Sequence, residues 1–526
     1  MAQKTFIGLS FGNHNSVIAI INKDQRAEVI ANEEGEHKTP TYLAFSGDEE
    51  FHGSQAKHQI VRNAHSTVAG FRDMLGSGVT ATAAGFAAVD AEGAFVVRTD
   101  GDRVIRVTAH EAAVRYVGRL RATAEAYVGR AIDGAVLAVP AWFTAAQRAA
   151  VGAACADAGL ALLQVVTEPA AAAAQYGLAS LARDAVAVVV DVGGSGADVT
   201  VIAAAGGLVA EVAHARTTAV SGDALDTVLV RHFAAEFHRA HGIDVLADAR
   251  AERKLRQAVE ATKRTLSSAA SAPCAVESLA GGLDFSSSIS RTRFDVLCAR
   301  VFAPLEAAVA DALAAAGYAP RHVDQVLLCG GAARVRRLQR AVAALFPEGT
   351  LVRDDAAEEL DEVVAAGCAA QAALLARGLA AAPPAALHAH VLARPVGLRL
   401  GADVMVPVLP RHAPLPAARS VRVALPAAEA RAYVAVAEGE ANLDPELEDD
   451  EDDEEEQGEE EQAKAQAVPP RFRPARLLAE LVLDLGAPAA HVDVAFFVAA
   501  DRTLTVTATE PVSGKSVTAV VPFADH

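Results

Sequence analysis

Two stretches of the chain share one pattern of apolar and small residues. From Val186 to Ala203 a β-branched run ends at Asp191, passes through Gly193-Gly194-Ser195-Gly196, and resumes after Asp198. From Phe6 to Ile21 an apolar run reaches Gly12 and resumes at Val17. Runs of this length and composition predict buried strands joined by a tight glycine turn. Two such hairpins, about 180 residues apart, predict a duplicated α/β lobe. Between them the pattern predicts a strand over Tyr42–Phe45, a helix over Ala109–Val128 and strands over Ala135–Pro140 and Leu162–Thr167. Thr144 is a good N-cap and Gly159 a good C′ residue for the helix between the last two strands, while Pro169 suits the first turn of an alanine-rich helix. Helices are predicted over Asp223–Ala240, Arg250–Leu266 and Asp361–Leu375. A strand over Val326–Leu328 runs into Gly330-Gly331, with a basic helix from Arg334. Beyond Ala380–Pro384 the pattern turns to period two, with strands at Ser420–Leu425, Arg431–Val436, Val492–Val498, Thr503–Thr507 and Ser516–Pro522.

A chain of 526 residues exceeds what one core supports, which predicts roughly two to four domains. No apolar run reaches the roughly 18 residues of a membrane span. The start leads directly into a strand without an apolar signal region, so secretion is not expected. Five scattered cysteines without a Cys-x-x-Cys pair fit a reducing compartment and argue against a cysteine zinc site. The net charge is −19, but Glu446–Glu461 holds thirteen acids and no Lys or Arg, so the remainder sums to −6. That balance gives no global basic surface for nucleic acid.

The glycine tips admit two readings. Successive backbone N–H groups can form a cavity for phosphate, with Asp191 placed to reach a metal ion or a water, or the hairpins are plain core turns. Glu260, Lys263 and Ser267 share one helical face at i, i+3 and i+7, as a ligand-binding stripe or as a solvated one. The histidines show no metal spacing. His14 lies in the first glycine loop, either facing solvent or contacting phosphate.

In these segments the chain resembles the heat-shock-70 chaperone family, whose nucleotide domain shares the actin fold. Carrying the match are Ile7-Gly8-Leu9-Ser10-Phe11-Gly12, Val139-Pro140-Ala141-Trp142-Phe143 with Gln147-Arg148, Glu168-Pro169-Ala170 and Asp191-Val192-Gly193-Gly194-Ser195-Gly196. Lys263-Arg264-Thr265-Leu266-Ser267-Ser268, Gly281 to Arg293, Gly330-Gly331-Ala332-Ala333-Arg334 and Asp361-Glu362-Val363-Val364-Ala365-Ala366-Gly367 extend it in family order. The resemblance implies an α/β, actin-like, two-lobed nucleotide-binding domain over 1–378 with duplicated phosphate hairpins. It implies ATP as ligand, held by Gly12, Asn13, His14, Asp191, Gly193, Gly194, Ser195, Gly222, Glu260, Lys263, Arg264, Ser267, Gly330, Gly331 and Arg334. Glu168 and Asp198 are also retained. Several positions depart from the family: Asn13 and His14 replace threonines of the first loop, and Ser195 and Gly196 replace a glycine and a threonine of the second. Ser10 stands where the first hairpin carries an acid, and Arg72 aligns with the catalytic lysine. Hydrolysis needs a positioned water, a metal held by carboxylates and donors aimed at developing charge. The departures therefore imply ATP binding with impaired or absent hydrolysis and no intact catalytic residue. Retention of Mg2+ stays open.

The resemblance continues as a linker over 379–395 that lacks the family's acidic–leucine signature. A truncated, β-sandwich-like, substrate-binding-type domain follows over 396–526, in which Glu438-Gly439-Glu440 matches a family turn. An acidic insert, 444–467, is expected to be disordered, and no helical lid is expected. This combination resembles the atypical heat-shock-70 subunit of the eukaryotic ribosome-associated complex. What it implies is a cytoplasmic, ribosome-associated co-chaperone in a stable heterodimer with a zuotin-like J-domain protein. Together they would stimulate a second heat-shock-70 chaperone acting on nascent chains. Contact with the ribosome would be indirect, without membrane or direct nucleic-acid binding. An active foldase of the same family and an actin-like-fold kinase of small metabolites are the alternatives.

Overall fold

The computed structural model describes residues 4–378 except 25, 78–85, 100–102, 182–183, 206–207 and 354–358. It also describes residues 392–522 except 393, 401–403, 412, 414, 426–430, 442–471, 486–489 and 500–502. The acidic insert and most of the expected linker lie outside the described residues. The chain divides into two units, Met1–Ala386 and Leu387–His526.

The first unit is built on the duplicated hairpin. Strands β1 (Phe6–Phe11) and β2 (Asn15–Ile21) pair antiparallel around the Gly12 turn. Helix α1 (Gly53–Asn63) and helix α2 (Ala109–Val128) follow, then β3 (Gly134–Val139), which runs parallel to β1, and β4 (Leu162–Thr167), parallel to β3. Helix α3 (Glu168–Gln175) leads into the second hairpin, β5 (Ala185–Val192) and β6 (Ala197–Ala205). A third strand, β7 (Leu208–Thr217), extends it antiparallel. Long helices α4 (Gly222–His241) and α5 (Ala249–Ser268) precede β8 (Gln325–Cys329) and β9 (Leu351–Arg353), which continue the sheet in parallel from β5. The first sheet runs β4-β3-β1-β2 and then Ala27–Val29, with Thr39–Pro40 also paired to β2, and the second runs β7-β6-β5-β8-β9, so the two repeat one plan.

Local sequence accounts for many of the boundaries. Thr144 and Gln147 form a reciprocal capping box at the helix Ala145–Asp157, and Thr108 and Glu111 form another at α2. Gly159 follows the first of these helices with a left-handed φ of 70°. Gly331–Arg334 is a single 3-10 turn, and the basic helix starts at Arg336 rather than at Arg334. Separate apolar cores lie under each sheet, one around Phe11, Phe71 and Tyr116, the other around Phe233, Phe237 and Phe285.

Helix α6 (Val363–Gly378) crosses both β1 and α3 at a distance that only glycine permits. A Cβ on Gly8 would lie 2.1 Å from the Ala369 nitrogen, and one on Gly367 would lie 1.9 Å from the Ala171 carbonyl oxygen. Among the described residues no helix is long and apolar enough to cross a membrane, and all five cysteines are buried and unpaired.

In the second unit, β10 (Val396–Arg399), β11 (Met405–Leu409), β13 (Arg431–Ala441) and β14 (Phe472–Asp484) close into a small barrel. Strands β12 (Ala417–Ala424), β15 (His491–Val498), β16 (Thr503–Thr509) and β17 (Ser516–Pro522) form a four-stranded sheet. Val396, Val434 and Leu481 of the barrel and Val494, Phe496 and Val506 of the sheet share one apolar core, so this is one folded body. Glu438-Gly439-Glu440 is not a turn. It lies within β13, where the register against β14 shifts at Glu438/Gly439.

Replacing Gly367 with valine puts a branched side chain into the α3 backbone. This variant should lose at least about 3 kcal/mol of stability, read as a fall in the thermal midpoint of the first unit. An unchanged midpoint would contradict the close crossing.

Candidate functional site

The open ends of both hairpins face one cavity of about 1510 Å³ in the first unit. It brings together all the residues singled out in the sequence. Ser10, Gly12, Asn13 and His14 line it from the first hairpin, and Asp191, Gly193, Gly194 and Ser195 from the second. Gly222 contributes the start of α4, while Glu260, Lys263, Arg264 and Ser267 contribute the polar face of α5. Gly330, Gly331 and Arg334 form the wall after β8, and Arg72 and Glu168 lie at the floor.

The second hairpin is tied to α4 through its backbone. The Gly222 and Asp223 amides donate to the carbonyls of Gly193 and Gly194 at 2.9 and 3.0 Å. The Gly193 amide donates to the Gly196 carbonyl at 2.9 Å. The expected row of unengaged N–H groups therefore loses Gly193, because the tight turn needs that bond to close. Gly330 has a φ of 87°, and a Cβ there would stand 2.3 Å from Asp191 Oδ1. Only glycine allows this backbone so near the carboxylate.

The α5 stripe is not simply solvated. Lys263 Nζ donates to the Gly222 carbonyl at 3.0 Å and to Asp226 Oδ2 at 2.8 Å. Glu260 accepts from Lys57 of α1 at 2.8 Å, across the cleft. His14 also crosses, with Nε2 2.9 Å from Asp223 Oδ2 and its ring against Gly194. Neither Lys57 nor Asp223 was signalled by the sequence, because both act through partners in the opposite lobe.

At the floor, Arg72 is buried and engaged. Its Nη1 donates to the Phe11 carbonyl at 3.2 Å and to Glu168 Oε1 at 3.1 Å, and its Nε to Asp73 Oδ1 at 2.7 Å. Burial opposes its charge, but Asp73 and Glu168 outweigh that and hold it protonated. Burial pushes the Glu168, Asp191 and Asp198 carboxyls above the ordinary range. Asp191 and Asp198 are direct cross-strand neighbours in the hairpin, and the charge on Asp198 adds to the cost of ionising Asp191. Among the described residues no group of three or more His, Cys, Asp or Glu is placed to hold a metal ion.

Several buried polar atoms at the cavity have no hydrogen-bond partner within the chain: Asn13 Oδ1, His14 Nδ1, Asp226 Oδ1 and Arg334 Nε. Buried polar groups are normally paired, so these atoms suit a polar ligand. Together with the glycine approaches, they fit a nucleotide.

The family model described as "Hsp70 protein" matches residues 6–448. The chain belongs to the heat-shock-70 family. It is 37% identical over 464 residues to a heat shock protein 70 homolog of Schizosaccharomyces pombe, covering 84% of this chain and 81% of the relative. It is 34% identical over 458 residues to a ribosome-associated complex subunit of Saccharomyces cerevisiae, covering 83% and 84%. A ribosome-associated molecular chaperone of the same yeast is 33% identical over 388 residues, covering 71% of this chain and 62% of that one. The actin-like two-lobed class, with a β-rich part behind it, is therefore established for this heat-shock-70 chain.

Glu211 of β7 accepts from the Thr167 hydroxyl at the end of β4. Burial raises its carboxyl to about 7, against an opposing pull from Arg148. The folded state then binds this proton more tightly than the unfolded one. The resulting stabilisation is complete below the unfolded value of 4.5 and is lost as pH rises through about 7. Chemical denaturation across this window should show stability falling with pH, with a shallower slope in Glu211→Gln.

Proposed function

We propose that this chain binds ATP, hydrolyses it poorly or not at all, and serves as a co-chaperone subunit rather than as an independent foldase. The observation that carries this reading is the engagement of Arg72. The Arg72 residue is 7% exposed, and its guanidinium is bonded to Asp73, Glu168 and the Phe11 carbonyl. A cation so held has few donors left for a transferring phosphoryl group, and its planar fork does not substitute for a lysine. The same contact neutralises Glu168, the carboxylate otherwise available to orient a water. Ser10, beside Ala138 and Val17 in the sheet, supplies no charge to a metal shell.

The residues that fit a nucleotide are those at the hairpin tips, α5 and the Gly330 wall. Bound ATP would supply a polyphosphate anion and its accompanying Mg2+, a cation that keeps several waters and usually binds through one or two carboxylates plus the phosphates. Asp191 and Asp198 suit such a water shell. ATP that binds only the folded cleft stabilises it by mass action, which gives the ligand a structural use without turnover.

The similarity to a ribosome-associated complex subunit supports the cellular role: a cytoplasmic, ribosome-associated heterodimer with a zuotin-like J-domain protein. This pair would stimulate a second heat-shock-70 chaperone on nascent chains. The β-rich region from 396 would act as a client-type domain, after a linker over 379–395. Retention of Glu168, Asp191 and Asp198 favours, as second reading, an active foldase with altered site chemistry.

Single-turnover hydrolysis, with and without the J-domain partner, separates the two. Turnover of the native chain should stay at background in both conditions. The double variant Ser10→Asp with Arg72→Lys should gain at least about tenfold. Strong J-domain stimulation of the native chain would overturn the non-hydrolysing reading.

A further inference from the structure

Arg216, which the sequence did not single out, enters the cavity from β7. It is the register partner of Asp198. Its guanidinium carbon lies 3.7 Å from the centroid of the Trp142 ring, in the loop after β3 of the opposite lobe. Its carboxylate contacts are long, 3.8 Å from Nε to Asp198 Oδ1 and 3.6 Å from Nη2 to Asp73 Oδ2. Both exceed a hydrogen bond, and its Nε is buried without a partner.

The neighbouring cations are in a different state. Arg72 donates to Phe11, Glu168 and Asp73, and Lys263 to Gly222 and Asp226. With Glu168 and Asp73 engaged by Arg72, Asp191 and Asp198 remain as paired acids at the second hairpin. A polyphosphate meets net repulsion there unless an uncommitted cation compensates. Arg216 is a planar fork, held over an indole, with donor capacity to spare. Arginine in that state is suited to phosphate oxygens.

We propose that Arg216 is the residue that recognises the terminal phosphate and makes the cleft prefer a nucleoside triphosphate over a diphosphate. The assignment rests on the nucleotide reading above. The glycine turns at the hairpin tips suit phosphate, which leaves α5 and the Gly330 wall for the adenosine, so the hairpin side receives the far end of the phosphate chain. A diphosphate lacks the group that Arg216 engages. Because Arg216 rests on Trp142, taking up a phosphate also changes the surroundings of that indole. Trp142 is the only tryptophan in the chain, which makes its emission a reporter of this one contact.

The test is calorimetric titration of the full chain with ATP and with ADP, beside tryptophan fluorescence. Arg216→Gln should weaken ATP by about 10- to 100-fold and ADP by less than about threefold. In the native chain ATP should shift the Trp142 emission, while ADP leaves it near the nucleotide-free spectrum. Equal losses for both nucleotides, no loss, or equal emission changes overturn the assignment. The fluorescence arm needs no variant, so it decides even if Arg216→Gln folds poorly. A native chain that binds neither nucleotide refutes the nucleotide reading itself, a result distinct from failure at Arg216.

Discussion

The buried ion cluster around Arg72 sets the character of this cleft. A buried cation is tolerated only where its donors are satisfied and its charge is balanced. Phe11, Asp73 and Glu168 meet both demands, and Arg72 also faces the Phe143 ring at 5.6 Å. Removing one partner would leave the others as uncompensated buried charge, which costs far more than the pair contributes. The cluster therefore holds β1, the start of α3 and the Arg72 segment in one arrangement. It does so with the groups that a hydrolysing site would need free.

The rest of the cleft is organised by links across it. Lys57 to Glu260, His14 to Asp223 and the Arg216–Trp142 stack each join one lobe to the other. Partly desolvated contacts of this kind are worth more than exposed ion pairs. The glycines act differently, since Gly330 lets the wall approach Asp191, and Gly8 and Gly367 let α6 lie on both β1 and α3. Charge links close the cleft from above, while small residues pack it from below.

Much of this was legible in the sequence because local signals and topology agree. Thr144, Gly159 and Pro169 mark ends that the structure reproduces, and both hairpins fall where the apolar runs place them. Strand β7 was missed because it is an edge strand whose period is blurred by Ala210, Ala213 and Ala215. The 13-residue strand β14 was missed because it begins next to the acidic insert. Arg216, Lys57 and Asp223 carry no motif. Their partners across the cleft lie over 60 residues away in sequence, so only the folded chain brings them together. Glu438-Gly439-Glu440 shows the opposite error, where a glycine between acids reads as a turn but serves as an irregularity within a paired strand.

The central claim is that the cleft grips a triphosphate and leaves it uncleaved. The most direct measurement is the identity of the nucleotide carried by the chain when it is purified from cells, released by denaturation and separated by chromatography. The account predicts intact ATP. Recovery of ADP as the main bound species would contradict it.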